Sequence, residues 1–266
     1  MEPVLRILRL AANSAYLSDE EVGISVLLVA EPESGKTQAI KTLVDHPLCH
    51  LENDFTKYGM VNLVKRNVLR DGKRCILIPD LLLVMSQQAP VVQATIAILS
   101  ALVEDGLRSM HSKFIQLELP APAYASVITS ITTGELRLYA PGWIQKGFLQ
   151  RFLVVSYSHS PETQTKIFDL INNGSLLGTS PAQGPKLNPG LVRVPPTFSP
   201  AIRTMAATYS KAMHYGHKAY GYRAANHIRK LLKTVALERG SKVVEVQDLS
   251  EVTDLLVFAN LQETAI

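Results

Sequence analysis

The feature that most constrains how this chain folds is residues 25–30, SVLLVA, followed at once by EPESGKTQAIKTL over 31–43. Successive strand residues point to opposite faces, so an apolar run without alternation needs cover on both sides. A parallel sheet between helices gives that cover; an antiparallel sheet with one wet face does not. Further strands are expected around 59–64 and at 75–79 (CILIP), 125–131 (ASVITSI) and 152–157 (FLVVSY), and three of the five are nearly continuous apolar runs. Helical stretches at 36–45, 88–105 and 162–173 have the lengths that parallel crossovers need. The expected class is α/β, a parallel sheet flanked by helices.

The two ends of the chain read differently. Residues 3–17 space their apolar side chains three and four apart, the pattern of an amphipathic helix leading to the first strand. Residues 174–200 concentrate Gly, Pro and Ser without periodicity and read as a connector. Helices are expected beyond it at about 199–216, 222–239 and 247–263. The division is therefore an α/β core over 1–173, a linker over 174–200 and a small α-helical lid over 201–266.

With 266 residues, 47 % of them apolar, the chain can bury a full core. Its longest apolar runs are interrupted by Asp80 and fall short of a membrane span, and Met1-Glu2-Pro3 lacks the basic start of a signal peptide. The expectation is a cytoplasmic protein without a membrane partner. Cys49 and Cys75 are too few for a disulfide framework. A net charge of +4 neither demands nor excludes nucleic acid.

A glycine-containing turn between a buried strand and a helix offers backbone N–H groups to phosphates. The general pattern is G-x-x-x-x-G-K-[ST], and its last three positions here are Gly35, Lys36 and Thr37. Glu31 stands where the first glycine would be, and Pro32, Glu33, Ser34 and Gln38 complete the loop. Lys36 would reach the β- and γ-phosphates of ATP, and Thr37 would hold Mg²⁺. The metal needs a carboxylate nearby, and Asp80, ending Arg74-Cys75-Ile76-Leu77-Ile78-Pro79-Asp80, is expected to supply it. The next residue is Leu81, where a hydrolytic site usually carries a glutamate to polarise water. Glu104 and Asp105 lie too far along the chain to be assumed substitutes.

In their order these features resemble the AAA+ P-loop NTPases, and among them the minichromosome-maintenance (MCM) helicases. The loop AEPESGKTQAIKTL carries the Gln that follows the Lys-Thr pair in that family, and CILIPD precedes a long helix, QQAPVVQATIAILSALVEDG, the polar stretch HSKFIQLELPAP and then ASVITSITT. The resemblance implies a sensor at Thr132, where the family usually has Asn, and a hairpin in the polar stretch. GFLQRFLVV is similar to the family's L-L-S-R-F-D-L-I and implies that Arg151 is a finger reaching a neighbouring subunit's nucleotide. GYRAANHIRKLLKTVALERGSKVVEVQDLSEVTDLLVFA resembles the family's lid, whose first arginine is a second sensor; Arg223 matches best and Arg229 remains open. The resemblance spans about residues 20–262. It implies an ATP-binding module that forms a homo-oligomeric ring, acts on DNA and meets other protein subunits. Glu31 and Leu81 favour the other reading, a nucleotide-dependent switch or scaffold with little turnover.

Remaining candidates carry less. His46, Cys49 and His50 lack a second pair at zinc spacing. His214 and His217, with Tyr215 and Tyr220, read as one helix face. Lys65, Arg66, Arg70, Lys73 and Arg74 flank the second and third strands, where the resemblance implies pore-lining inserts and salt-dependent phosphate-backbone contact; a solvated face is the other reading, and Lys113 lies in the polar stretch where the resemblance implies a hairpin.

Overall fold

The computed structural model describes residues 2–52, 59, 63, 74–112, 115–173, 187–213 and 220–260. Its centre is a five-stranded parallel sheet in the order β2-β3-β6-β1-β7, formed by β1 (Val26–Ala30), β2 (Cys49–Leu51), β3 (Cys75–Ile78), β6 (Ser126–Thr132) and β7 (Leu153–Ser156). All five residues of β1 and all four of β3 and of β7 are buried, as strands covered on both faces must be. Burying a Leu or Val there contributes roughly 1.5–3 kcal/mol; the central strand β6 also buries Ser126, Thr129 and Ser130. Register fixes what meets at each end. Ala30 lies opposite Thr132, Val26 opposite both Ile128 and Leu153, and Ile78 opposite Thr129.

One strand differs from expectation. The sheet's outer strand is Cys49–Leu51, paired with Cys75–Leu77. In the 59–64 stretch, Gly59 and Leu63 are helical, and the other positions lie outside the described residues. A strand beside β3 has to pair with it in parallel, and CHL does so with only three residues.

α1 (Glu2–Asn13) ends in a 3₁₀ turn at Ser14–Tyr16, so the first helix is shorter than 3–17. α2 (Lys36–Lys41) packs on β1, β3 and β6. After β3 come the short α3 (Leu82–Met85), α4 (Ala89–Ser100) and a π-helical turn, Ala101–Asp105. An antiparallel pair, β4 (Leu107–Ser112) and β5 (Ile115–Ala123), occupies the polar stretch in which the family resemblance implies a hairpin. α5 (Thr133–Gln145) was not legible in the sequence, because Gly134, Pro141 and Gly142 interrupt its pattern. It is held at its start by Thr132, whose hydroxyl accepts from the Glu135 N–H. α6 (Pro161–Asn172) follows β7.

The C-terminal part is helical: α7 (Ser199–Met213), α8 (Tyr222–Glu238) and α9 (Val246–Asn260). α8 packs against α7, α9 and α1. Tyr209 on α7 covers the open edge of β7, its hydroxyl accepting from the Val154 N–H at 2.6 Å and donating to the Val154 carbonyl at 3.1 Å. Buried Lys233 donates to Asp19 and Glu20 at 2.6 and 2.5 Å, and Lys230 donates to the Val22 carbonyl at 2.7 Å. Arg6 pairs with Glu238 and Glu251. No helix among the described residues is long and apolar enough to cross a membrane.

Candidate functional site

The phosphate-type loop grows out of the carboxyl end of β1. Gly35, in the left-handed region at φ 82°, turns the chain into α2. Glu33 is also left-handed, at φ 61°, so the loop's non-glycine strain falls there and not at Glu31. The ammonium of Lys36 is folded into the loop, donating to the carbonyls of Ala30 (2.8 Å) and Glu31 (2.7 Å) and reaching Ser34 Oγ at 3.3 Å. Burial pushes the Lys36 ammonium pKa down, and Asp80, Glu31 and Glu135 partly offset that. Two side chains from the β7 end brace the loop. Tyr157 donates its hydroxyl to the Ser34 carbonyl at 3.1 Å, and His159 Nε2 lies 2.9 Å from the same oxygen. Pro32, Thr37 and Gln38 are exposed.

Asp80 and Thr132 close the other side. Asp80 accepts from the Leu82 N–H at 2.9 Å. Leu81 is buried, with its N–H donated to the Ser130 carbonyl at 2.9 Å. Thr132 Oγ1 donates to Glu135 Oε2 at 2.9 Å. The carboxyl ends of β1, β3 and β6 thus bring together an ammonium, an accessible hydroxyl and a carboxylate. Hydroxyl and carboxylate oxygens are the hard donors Mg²⁺ takes, and Lys36 is a compact cation for phosphate, so these residues fit Mg·ATP.

The two candidate arginines are elsewhere. Arg151 precedes β7, whose Leu153 N–H donates to Ser25 at the amino end of β1. The length of β1, about 13 Å at 3.3 Å per residue, separates that end from Lys36. Arg151 donates to the Gly147 carbonyl at 2.7 Å and pairs with Glu104 at 2.7 Å. Arg223, at the start of α8, grips the same carboxylate with two bonds of 2.6 and 2.8 Å. Burial would raise the Glu104 pKa, but the Arg223 and Arg151 guanidiniums outweigh it and hold the carboxyl below its usual range. Arg229 is exposed further along α8. A cleft of about 440 Å³ is lined by Arg151, Arg223 and Glu104 together with Glu20, Asn226 and Lys230. Beside it, a cleft of about 270 Å³ is bounded by Phe152, Tyr209, Tyr222 and His227.

Glu104, Tyr157, His159 and Glu135 were not identified as partners by sequence reasoning. Only Glu135 carried a readable signal, because Thr132-x-x-Glu135 is a capping-box pattern. His46 is engaged by Asn13 at 2.9 Å and by the Leu48 N–H at 3.2 Å, a structural role, and both cysteines are buried and outside any disulfide. Among the described residues no group of three or more His, Cys, Asp or Glu is placed to hold a metal. Arg74 is exposed; Lys65, Arg66, Arg70, Lys73, Lys113, His214, Tyr215 and His217 lie outside the described residues.

No protein-family model matches the chain, and no curated protein matches it by sequence. Among solved structures it is similar to a full-length MCM homolog from Methanopyrus kandleri, with a TM-score of 0.55 at 12 % identity. The likeness covers 96 % of this chain and 55 % of that one, so the chain spans about half the length of that protein. In fold, therefore, the chain is similar to that MCM homolog: a parallel five-stranded sheet flanked by helices, with a helical C-terminal part.

Proposed function

We propose that the chain is an ATP-binding module that works in a ring of like subunits and acts on DNA, each nucleotide being held by the loop of one subunit and completed by the arginines of the next. The observation that carries this reading is the separation of Lys36 from Arg151 and Arg223 at opposite ends of the sheet. An arginine at the amino end of β7 cannot reach its own loop across the length of β1, but it can face a loop on another chain. The cleft that it shares with Arg223 supports the same arrangement. Lys36 and Thr37 would hold the phosphates and Mg²⁺, with Asp80 beside them, and the guanidiniums would meet charge developing on the terminal phosphate. Similarity to an MCM homolog, with exposed Arg108 on the β4–β5 hairpin, supports action on DNA.

One observation favours a second reading. Leu81 is buried where a water-polarising carboxylate would stand, which suits a switch that binds ATP and releases phosphate slowly or not at all. The experiment is complementation. Lys36→Ala should lose ATP binding, whereas Arg151→Ala should bind ATP and lose concentration-dependent phosphate release, measured with and without single-stranded DNA. An equal mixture should recover about a quarter of wild-type turnover, the share of interfaces in which random assembly pairs an intact loop with an intact arginine. Undiminished turnover by a monomeric Arg151→Ala protein would refute the shared site. Lys36-dependent ATP binding without any phosphate release would support the switch.

A further inference from the structure

Position 81 carries no carboxylate, yet the end of the sheet beside it does. β6 lies between β3 and β1, so its carboxyl end adjoins both the strand leading to Asp80 and the strand leading to the loop. The pairing of Ile78 with Thr129 continues beyond β3. Ser130 Oγ donates to the Pro79 carbonyl at 2.6 Å, and the Leu81 N–H donates to the Ser130 carbonyl at 2.9 Å. Beyond these bonds the chain after β3 turns into α3 at Leu81, and across β1 Thr132 is level with Ala30, where the loop begins. Glu135, on the first turn of α5, folds back over this point, its Oε2 accepting from Thr132 Oγ1 at 2.9 Å. It is one of three carboxylates whose charge reaches the Lys36 ammonium, with Asp80 and Glu31. Glu104 is engaged by two arginines at the other end of the sheet.

We propose that Glu135 is the water-activating carboxylate of this site, held in place by Thr132, and that it does the work the residue at position 81 cannot. The proposal rests on the reading that the Lys36 loop binds ATP. In the step, Glu135 takes a proton from a water whose oxygen forms a new bond to the terminal phosphorus. The bond from that phosphorus to the bridging oxygen breaks, and its electron pair leaves with ADP. Glu135 then gives that proton up to the released phosphate. Thr132 orients the carboxylate through its hydroxyl, so the two act as a pair from one strand end.

The test uses the whole chain as Glu135→Gln, a change that keeps the capping box because Gln serves there as well as Glu. Two quantities are read, the affinity for ATP from a fluorescent-nucleotide titration and phosphate release. Glu135→Gln should bind ATP at least as tightly as wild type, since one negative charge near the phosphates is gone. It should release phosphate at least about 10²-fold more slowly, the lower range for a lost general base. Adding Leu81→Glu to Glu135→Gln should restore part of the turnover by returning a carboxylate from the β3 side. Turnover of Glu135→Gln within about threefold of wild type would overturn the assignment, as would a wild type that binds ATP through Lys36 and releases no phosphate. Absence of Lys36-dependent ATP binding in wild type would instead refute the nucleotide reading itself.

Discussion

Glu104→Gln tests the arginine cluster directly. Three segments distant in sequence meet at this carboxylate: the turn after α4, the turn before β7 and the start of α8. Arg223 contributes two bonds of 2.6 and 2.8 Å and Arg151 one ion pair at 2.7 Å. The side chains are 33 % (Glu104), 15 % (Arg151) and 42 % (Arg223) exposed, so solvent screens the Arg223 pair and spares the Arg151 pair more. An exposed pair contributes about 0.2–1 kcal/mol and a charged hydrogen bond about 1.5–3 kcal/mol. The screened sum is about 2 kcal/mol, and Gln, which keeps one acceptor, should lose about 1–2 kcal/mol of it. At this chain length that lowers Tm by roughly 2–6 °C, read by thermal melts near neutral pH. Because the folded-state pKa of Glu104 is depressed, its contribution is complete above the ordinary carboxylate value of about 4.3 and disappears as pH falls through the lower folded one. The gap between wild type and Glu104→Gln should stay constant from pH 6 to 8 and close at acid pH. A variant as stable as wild type at pH 7, or a gap that does not narrow as the pH falls below the ordinary carboxylate value of about 4.3, would refute the argument.

Two further changes have equally direct readouts. Glu33→Gly relieves a left-handed non-glycine residue at a cost in unfolded-chain entropy. It should raise stability by about 0.5–1 kcal/mol, and a lower Tm would show that the loop carries no strain at that point. His227 is pushed down to about 4 by burial and by Lys230, with Arg223 adding to the fall and the Gln150 backbone and Glu104 opposing it. The unfolded state then binds the extra proton between about pH 6.5 and 4, so stability falls with acid in that window, by up to about 2 kcal/mol between pH 7 and 5. His227→Gln should remove that part of the urea-denaturation pH profile; an unchanged profile would show that the ring is not held neutral.

The sheet was legible because its physics is local. SVLLVA and CILIP are continuous apolar runs, and only a strand covered on both faces accommodates them. The strand–turn–helix at the loop was legible for a similar reason, since Gly35-Lys36-Thr37 sits between such a strand and a helix. What stayed hidden depended on distant partners. CHL is too short to signal a strand and becomes one by pairing with β3. Helix α5 contains Gly134, Pro141 and Gly142, and packing against β6 and β1 outweighs their weak helical preference. The convergence of Arg151 and Arg223 on Glu104 joins residues 119 apart in the chain, and no spacing rule anticipates it.

The anchoring of α8 has a mechanical consequence. Its first turn carries Arg223, and two turns later Lys230 and Lys233 are fastened to Asp19, Glu20 and Val22, the residues that feed β1. Helix α8 is therefore less a cover that swings over its own loop than a lever pinned near its fulcrum. A pull on Arg223 from outside is carried to the entry of β1, and β1, buried along its whole length, is a short rigid rod whose far end is the Lys36 loop. A load applied at the amino end of the sheet would be felt at the Lys36 loop.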